Sequence, residues 1–242
     1  MDFTFKSYEL LVNAIRNNGY NICDYHKHSD FNKCVILRHD VDFCLEKAFD
    51  FALFENKLGV NSTYFILLSS DFYNIFSKKN YQIIHNIKEL RHDIGLHFDE
   101  VRYNVSTAEE LVDCVEKEIK IMSDMFNFDI STVSMHRPSK ASLETDFVFK
   151  NAVNTYSKEF FKDFKYLSDS RYKWHEPVLD IINNSIFNKL QIVTHPIWYS
   201  TDTKSGSEII RNFVNNANPD RYNQLKDNFT KLNEFMAEED II

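Results

Sequence analysis

The sequence predicts an α/β protein in which strands and helices alternate around a mostly parallel sheet. Two observations carry this. Six short apolar runs are separated by longer stretches whose apolar residues recur at helical spacing. In addition, His, Asp and Arg residues collect immediately after those runs, and the C-terminal strand ends of parallel barrels are where chemistry is done.

The elements follow in chain order. Residues 5–17 place Phe5, Tyr8, Leu11, Val12 and Ile15 on one helical face. A strand is expected at Cys34–Leu37. A helix over 44–58 follows, with Ala48, Phe51, Ala52, Glu55 and Leu58 on its inner face and Gly59 closing it. Strands are then expected at Ser62–Leu67 and Asp93–His97. Ser106 and Glu109 form a capping-box pattern ahead of a stripe of Leu111, Val115, Ile119, Met122 and Phe126. Thr132–His136, Lys165–Leu167 and Gln191–Thr194 complete the strands. Asn218-Pro219 announces a C-terminal helix. No linker or repeat interrupts the pattern, so 1–242 is read as one domain with C-terminal helices from about 205.

Composition narrows the function. The 242 residues carry a net charge of -8 with scattered acids, which argues against nucleic acid as partner. No stretch approaches the ~18 apolar residues of a membrane span. Four cysteines without metal spacing read as thiols of a reducing compartment. With no leader pattern at the start, a cytoplasmic protein is expected.

The first ionisable cluster is Arg38-His39-Asp40-Val41-Asp42. On an extended chain Asp40 and Asp42 project to the same side, and two like charges held together call for a cation or a shared proton. The competing reading makes Asp42 a helix cap. His97 ends the strand expected at Asp93–His97, while His92, ahead of it, reads as a surface or supporting residue. His136 and Arg137 precede Pro138, offering a metal ligand and an anion-holding guanidinium. Asp169, Arg171 and Trp174 lie together in YLSDSRYKW, and His195 ends the last apolar strand, where an imidazole suits general acid work.

In order, RHDVD, IGLH, MHRPS, YLSDSRYKW and IVTHP resemble the motifs of the polysaccharide deacetylase superfamily, carbohydrate esterase family four and its relatives. They are most similar to the branch whose first motif is Arg-His-Asp-Val-Asp, often found beside surface-polysaccharide synthesis genes. The resemblance runs from about residue 5 to residue 200. It implies a distorted (β/α)7 barrel, a divalent metal (usually zinc, with cobalt, nickel and manganese as the other candidates) and hydrolysis of an N-acetyl or O-acetyl group on a sugar. By position it makes Asp40 the base, His195 the acid, and Asp42 and His97 metal ligands. Asp169 and Trp174 fall in the motif that supports the acid and lines the pocket.

Two positions depart from the family pattern. A second histidine expected four residues after His97 is Val101, and the arginine expected two residues before Pro138 is His136. His136 is therefore expected as the third ligand, with Asp99 or Glu100 as substitutes. Arg38, His39, Arg137 and Arg171 are expected with Asp169 and Trp174 to hold substrate, the alternative for the arginines being ion pairs with Asp40, Asp99 and Asp169. The expected partner is an acetylated sugar, nucleotide-linked, lipid-linked or free. Hydrolysis of another C–N amide on the same fold, and a non-catalytic sugar-binding pseudo-enzyme, are the two alternatives.

Overall fold

The apolar run beginning at Cys34 extends four residues further than the sequence suggests, giving strand β2 (Cys34–Val41), every residue of which is buried. A strand enclosed on both faces is the mark of a parallel sheet covered by helices. In the computed structural model, which describes residues 1–241, the other strands are β1 (Asn21–Cys23), β3 (Thr63–Leu67), β4 (Asp93–Phe98), β5 (Thr132–Met135), β6 (Val153–Asn154), β7 (Lys165–Ser168) and β8 (Lys189–Thr194). Their order is β6-β5-β4-β3-β2-β8-β7, and all pairings are parallel. β1 pairs with the lower half of β2, and β3 with its upper half. Six strands fall where the sequence places them; β1 and β6, at three and two residues, are too short to leave a pattern.

The sheet curls into a distorted, open barrel, with β6 and β7 as the two ends of the path. Arg38 on β2 donates to Thr155, just past β6, at 2.8 Å. In a flat sheet those strands would lie about 19 Å apart, at ~4.8 Å per strand. Only a curled sheet brings them together. Alternation then sorts β2: Cys34 and Ile36 join Tyr25, Phe65, Phe160 and Phe164 in a plug at the lower end of the interior, with Arg38 and Asp40 above it, while His39 faces the helices and packs on Phe51.

Gly95 on β4 makes room for this plug. A Cβ there would lie 2.5 Å from Phe65 Cε1 and 2.6 Å from Thr132 Oγ1. Gly95→Ala is expected to cost about 1–3 kcal/mol through overpacking, read as a lower urea midpoint with an unchanged slope. An unchanged midpoint would show that the plug has slack.

The helices outside the sheet are α1 (Phe5–Asn17), α2 (Leu45–Lys57), α3 (Lys78–Glu89), α4 (Ala108–Phe126), α5 (Lys140–Glu144) and α6 (Val178–Asn183). Cap positions differ from the sequence reading by a residue or two. The capping box of α4 is Thr107 with Glu110, not Ser106 with Glu109. The N-cap of α2 is Cys44, and no side chain caps it, so Asp42 is not a cap.

Between α1, α2 and the sheet lies a buried polar knot centred on Glu55, which accepts hydrogen bonds from Tyr8, from Ser62 at 2.5 Å and from Tyr64 at 2.9 Å. His39 and His92 approach it at 3.0 and 3.6 Å. His92 is thus fully buried, not a surface residue. Burial alone would raise the Glu55 pKa, but His39, His92 and the Ser62 hydroxyl outweigh it and pull the carboxyl down to about 2. A depressed folded-state pKa gives stability that is complete above the unfolded value near 4.5 and is lost as pH falls toward 2. Across that window Glu55 is expected to contribute up to about 1.4 kcal/mol per pH unit to the acid slope. Glu55→Gln should remove this share. Parallel unfolding curves for parent and variant from pH 5 to 2 would contradict it.

The chain divides into two units, Met1–Thr201, which holds all of the sheet, and Asp202–Ile242. The second contains α7 (Gly206–Asn215), capped by Ser205, and α8 (Ala217–Asn228). Asn216, not Asn218, is the N-cap of α8, and Pro219 falls within its first turn. No helix among the described residues is long and apolar enough to cross a membrane.

Candidate metal centre

The upper rim of the barrel gathers side chains from five strand ends. Asp42 follows β2, His97 lies in β4, His136 follows β5, Asp169 follows β7 and His195 follows β8. Asp42 Oδ1 lies 3.2 Å from His97 Nε2 and 3.2 Å from His136 Nδ1, and the two nitrogens are themselves 3.2 Å apart.

An equilateral triangle of one carboxylate oxygen and two imidazole nitrogens has a specific chemical meaning. Ligands on a tetrahedral zinc at ~2.0–2.1 Å are separated by about 3.3 Å. The tautomers agree. His97 Nδ1 faces the Ser134 carbonyl at 3.4 Å, an acceptor, so Nδ1 holds the proton and Nε2 turns its lone pair toward the triangle. Asp42 Oδ1 is buried without an aligned hydrogen bond. The donor set therefore fits a divalent cation, and these are the His, Cys and carboxylate residues grouped closely enough among the described residues to hold one. The substitutes considered from the sequence are engaged elsewhere: Asp99 pairs with Arg137, and Glu100 accepts from Ser139 and Ser142.

Asp40 stands beside the triangle, with Oδ2 3.8 Å from His97 Nε2. Arg38 grips both of its oxygens, Nε to Oδ1 at 3.1 Å and Nη2 to Oδ2 at 2.8 Å, and also donates to Ser134. Burial works against the charge on Asp40, but Arg38, then His97 and His195, overcome it and hold the carboxyl below its ordinary range. On the other side, His195 turns Nε2 toward Asp42 Oδ2 at 3.8 Å, while its Nδ1 donates to the fully buried Asp169 at 2.6 Å. Burial would lower the His195 pKa. Asp169, with Asp42 and Asp40 behind it, pushes it up instead, to about 9.

The substrate residues expected from the sequence divide sharply. Arg38 and His39 are 0% and 1% exposed and are committed to Asp40 and to the Glu55 side of β2, so neither reaches a substrate. Asp169 is likewise enclosed and serves His195. Arg137 is 57% exposed but paired with Asp99. Arg171 is exposed in a left-handed turn and Trp174 is half-buried. Val101 is 65% exposed on the turn after β4. Ser134 and Thr155, which hold Arg38, were missed by the sequence reading. Ser134 had a signal, since Thr132, Ser134 and His136 alternate on one face.

No family model matches the sequence, and no curated protein does. Similar solved structures exist. The Streptococcus pyogenes deacetylase PplD, in complex with acetate, aligns at 11% identity and TM-score 0.43 over 58% of this chain and 66% of that one. A CE4 family pseudoenzyme from Bacillus anthracis aligns at 17% identity and TM-score 0.43 over 77% and 62%. A family 4 carbohydrate esterase from Bacillus anthracis aligns at 14% identity and TM-score 0.41 over 96% and 91%. The chain thus spans less than two thirds of the length of the first two. At these values the likeness carries no argument about what this chain does.

Proposed function

We propose that this chain is a metal-dependent hydrolase that removes an acetyl group from a sugar. The observation that carries the reading is the Asp42–His97–His136 triangle flanked by a tethered carboxylate, Asp40, and a carboxylate-backed imidazole, His195. The order of the five motifs supports the polysaccharide deacetylase class.

Asp42, His97 and His136 would hold the ion, most naturally zinc given two nitrogen donors and one oxygen. Once bound, such an ion supplies a Lewis acid for a carbonyl oxygen and a site that acidifies water. Asp40, kept ionised by Arg38, accepts the proton of the attacking water. His195, charged through Asp169, donates a proton from Nε2 to the departing group. An amine leaves only once protonated, so an imidazole held by the buried Asp169 and ready to donate from Nε2 suits an N-acetyl substrate better than an O-acetyl one. The substrate is proposed to be an acetylated sugar of surface-polysaccharide metabolism, nucleotide-linked, lipid-linked or free.

The test is acetate release from N-acetylated and O-acetylated oligosaccharides by zinc-loaded protein, with chelated protein as control. Zinc-dependent acetate from the N-acetylated set is the expected result. Full metal occupancy with no acetate from either set would overturn the reading.

A further inference from the structure

The third corner of the triangle, His136, lies one residue beyond the end of β5, at the last rung of its ladder. What holds it there is a run of contacts with the turn after β4. The His136 N–H donates to the Phe98 carbonyl at 2.8 Å, the last backbone rung between the two strands. One residue on, Arg137 grips Asp99 with two nitrogens, Nε to Oδ1 at 3.3 Å and Nη2 to Oδ2. Beyond that, Glu100 accepts from the Ser139 N–H at 2.5 Å and from the Ser142 hydroxyl, so one carboxylate secures the start of α5. Residues 98, 99 and 100 thus meet 136, 137 and 139 in step. Parallel pairing is continued past the sheet by side chains.

We propose that Asp99 and Glu100 are positioning residues that hold His136 in the ligand set, acting through Arg137 and the Ser139 turn. This rests on the metal reading above and assigns to the β4 turn a role in metal affinity. The geometry requires something of the kind. His97 sits within its strand and is held by Ser134, whereas His136, packed edge-on against the His97 ring, leaves the sheet at its rung to Phe98, and the chain beyond it is held by Asp99 through Arg137 and by Glu100 through Ser139. Groups that orient a ligand without touching the metal alter affinity by roughly 10–100-fold when lost. An isolated surface ion pair would alter little, so metal affinity separates the two roles.

The test is titration of the metal-free full chain with cobalt(II), followed by its visible absorption, in the parent and in Asp99→Asn, Arg137→Ala and the double variant. Melting of the metal-free proteins is measured alongside. The expected result is cobalt affinity at least about tenfold weaker in each single variant, no further loss in the double, and metal-free melting within a degree or two of the parent. Glu100→Gln should shift affinity in the same direction. If Asp99→Asn melts early, Arg137→Ala decides, because its side chain is mostly in solvent. Unchanged cobalt affinity in that variant overturns the inference while leaving the metal reading intact. A parent that takes up no cobalt overturns both.

Discussion

Replacing His136 by alanine is expected to leave the protein folded and the barrel rim empty of metal. The side chain is partly exposed and lies past the end of β5, so its loss opens no cavity in the core. It does take away one of three converging donors, and a two-ligand remnant of Asp42 and His97 holds zinc poorly. The loss of affinity should exceed the roughly 10–100-fold produced by groups behind a ligand. Metal content by plasma mass spectrometry should fall from about one ion per chain toward background, and acetate release should fall with it. Asp42→Ala should behave alike. A His136→Ala protein that keeps its metal would mean that Asp99 or Glu100 abandons its present partner to coordinate instead.

Asp40→Asn should separate chemistry from metal binding. The substitution keeps the shape and an acceptor for Arg38 but cannot take a proton from water, and loss of a general base costs about 10²–10⁴ in kcat. The triangle does not include Asp40, so metal content should stay near that of the parent. A stability cost is also expected, because Arg38 is wholly buried and loses its counter-charge. Stranding one partner of a buried pair typically costs about 3–5 kcal/mol. Kinetics should therefore be measured well below the variant's melting temperature. Activity within tenfold of the parent, with metal retained, would remove Asp40 from the role of base.

Much of this was legible in the sequence, and the limits have physical causes. The apolar runs marked six strands because parallel strands are buried on both faces. The end of β2 was misjudged because its last four residues, Arg38 to Val41, include the polar lining of the barrel and look like a loop. The same alternation held unused information: if Asp40 faces inward, so must Arg38, and His39 must face the helices. Reading His39 as a substrate residue conflicted with that parity, whereas Arg38 has the inward parity and is taken up by Asp40. Caps slipped by one or two residues because neighbouring Ser, Thr and Asn serve equally well by composition. The proposed roles of Asp99 and Glu100 were beyond reach, since their partners come from a segment some forty residues on and only the pairing of β4 with β5 brings the two turns together.

Arg38 and Asp40 belong to the same strand, two residues apart. An ion pair that joins separate elements is strained when those elements shift. This one travels as a unit. If the strands at the barrel mouth shift, the carboxylate carries its chief counter-charge with it, while the smaller contributions of His97 and His195 come from other strands. The triangle beside it has the opposite character: its three corners come from three strand ends, so any relative shift of those strands would alter how firmly a cation is held.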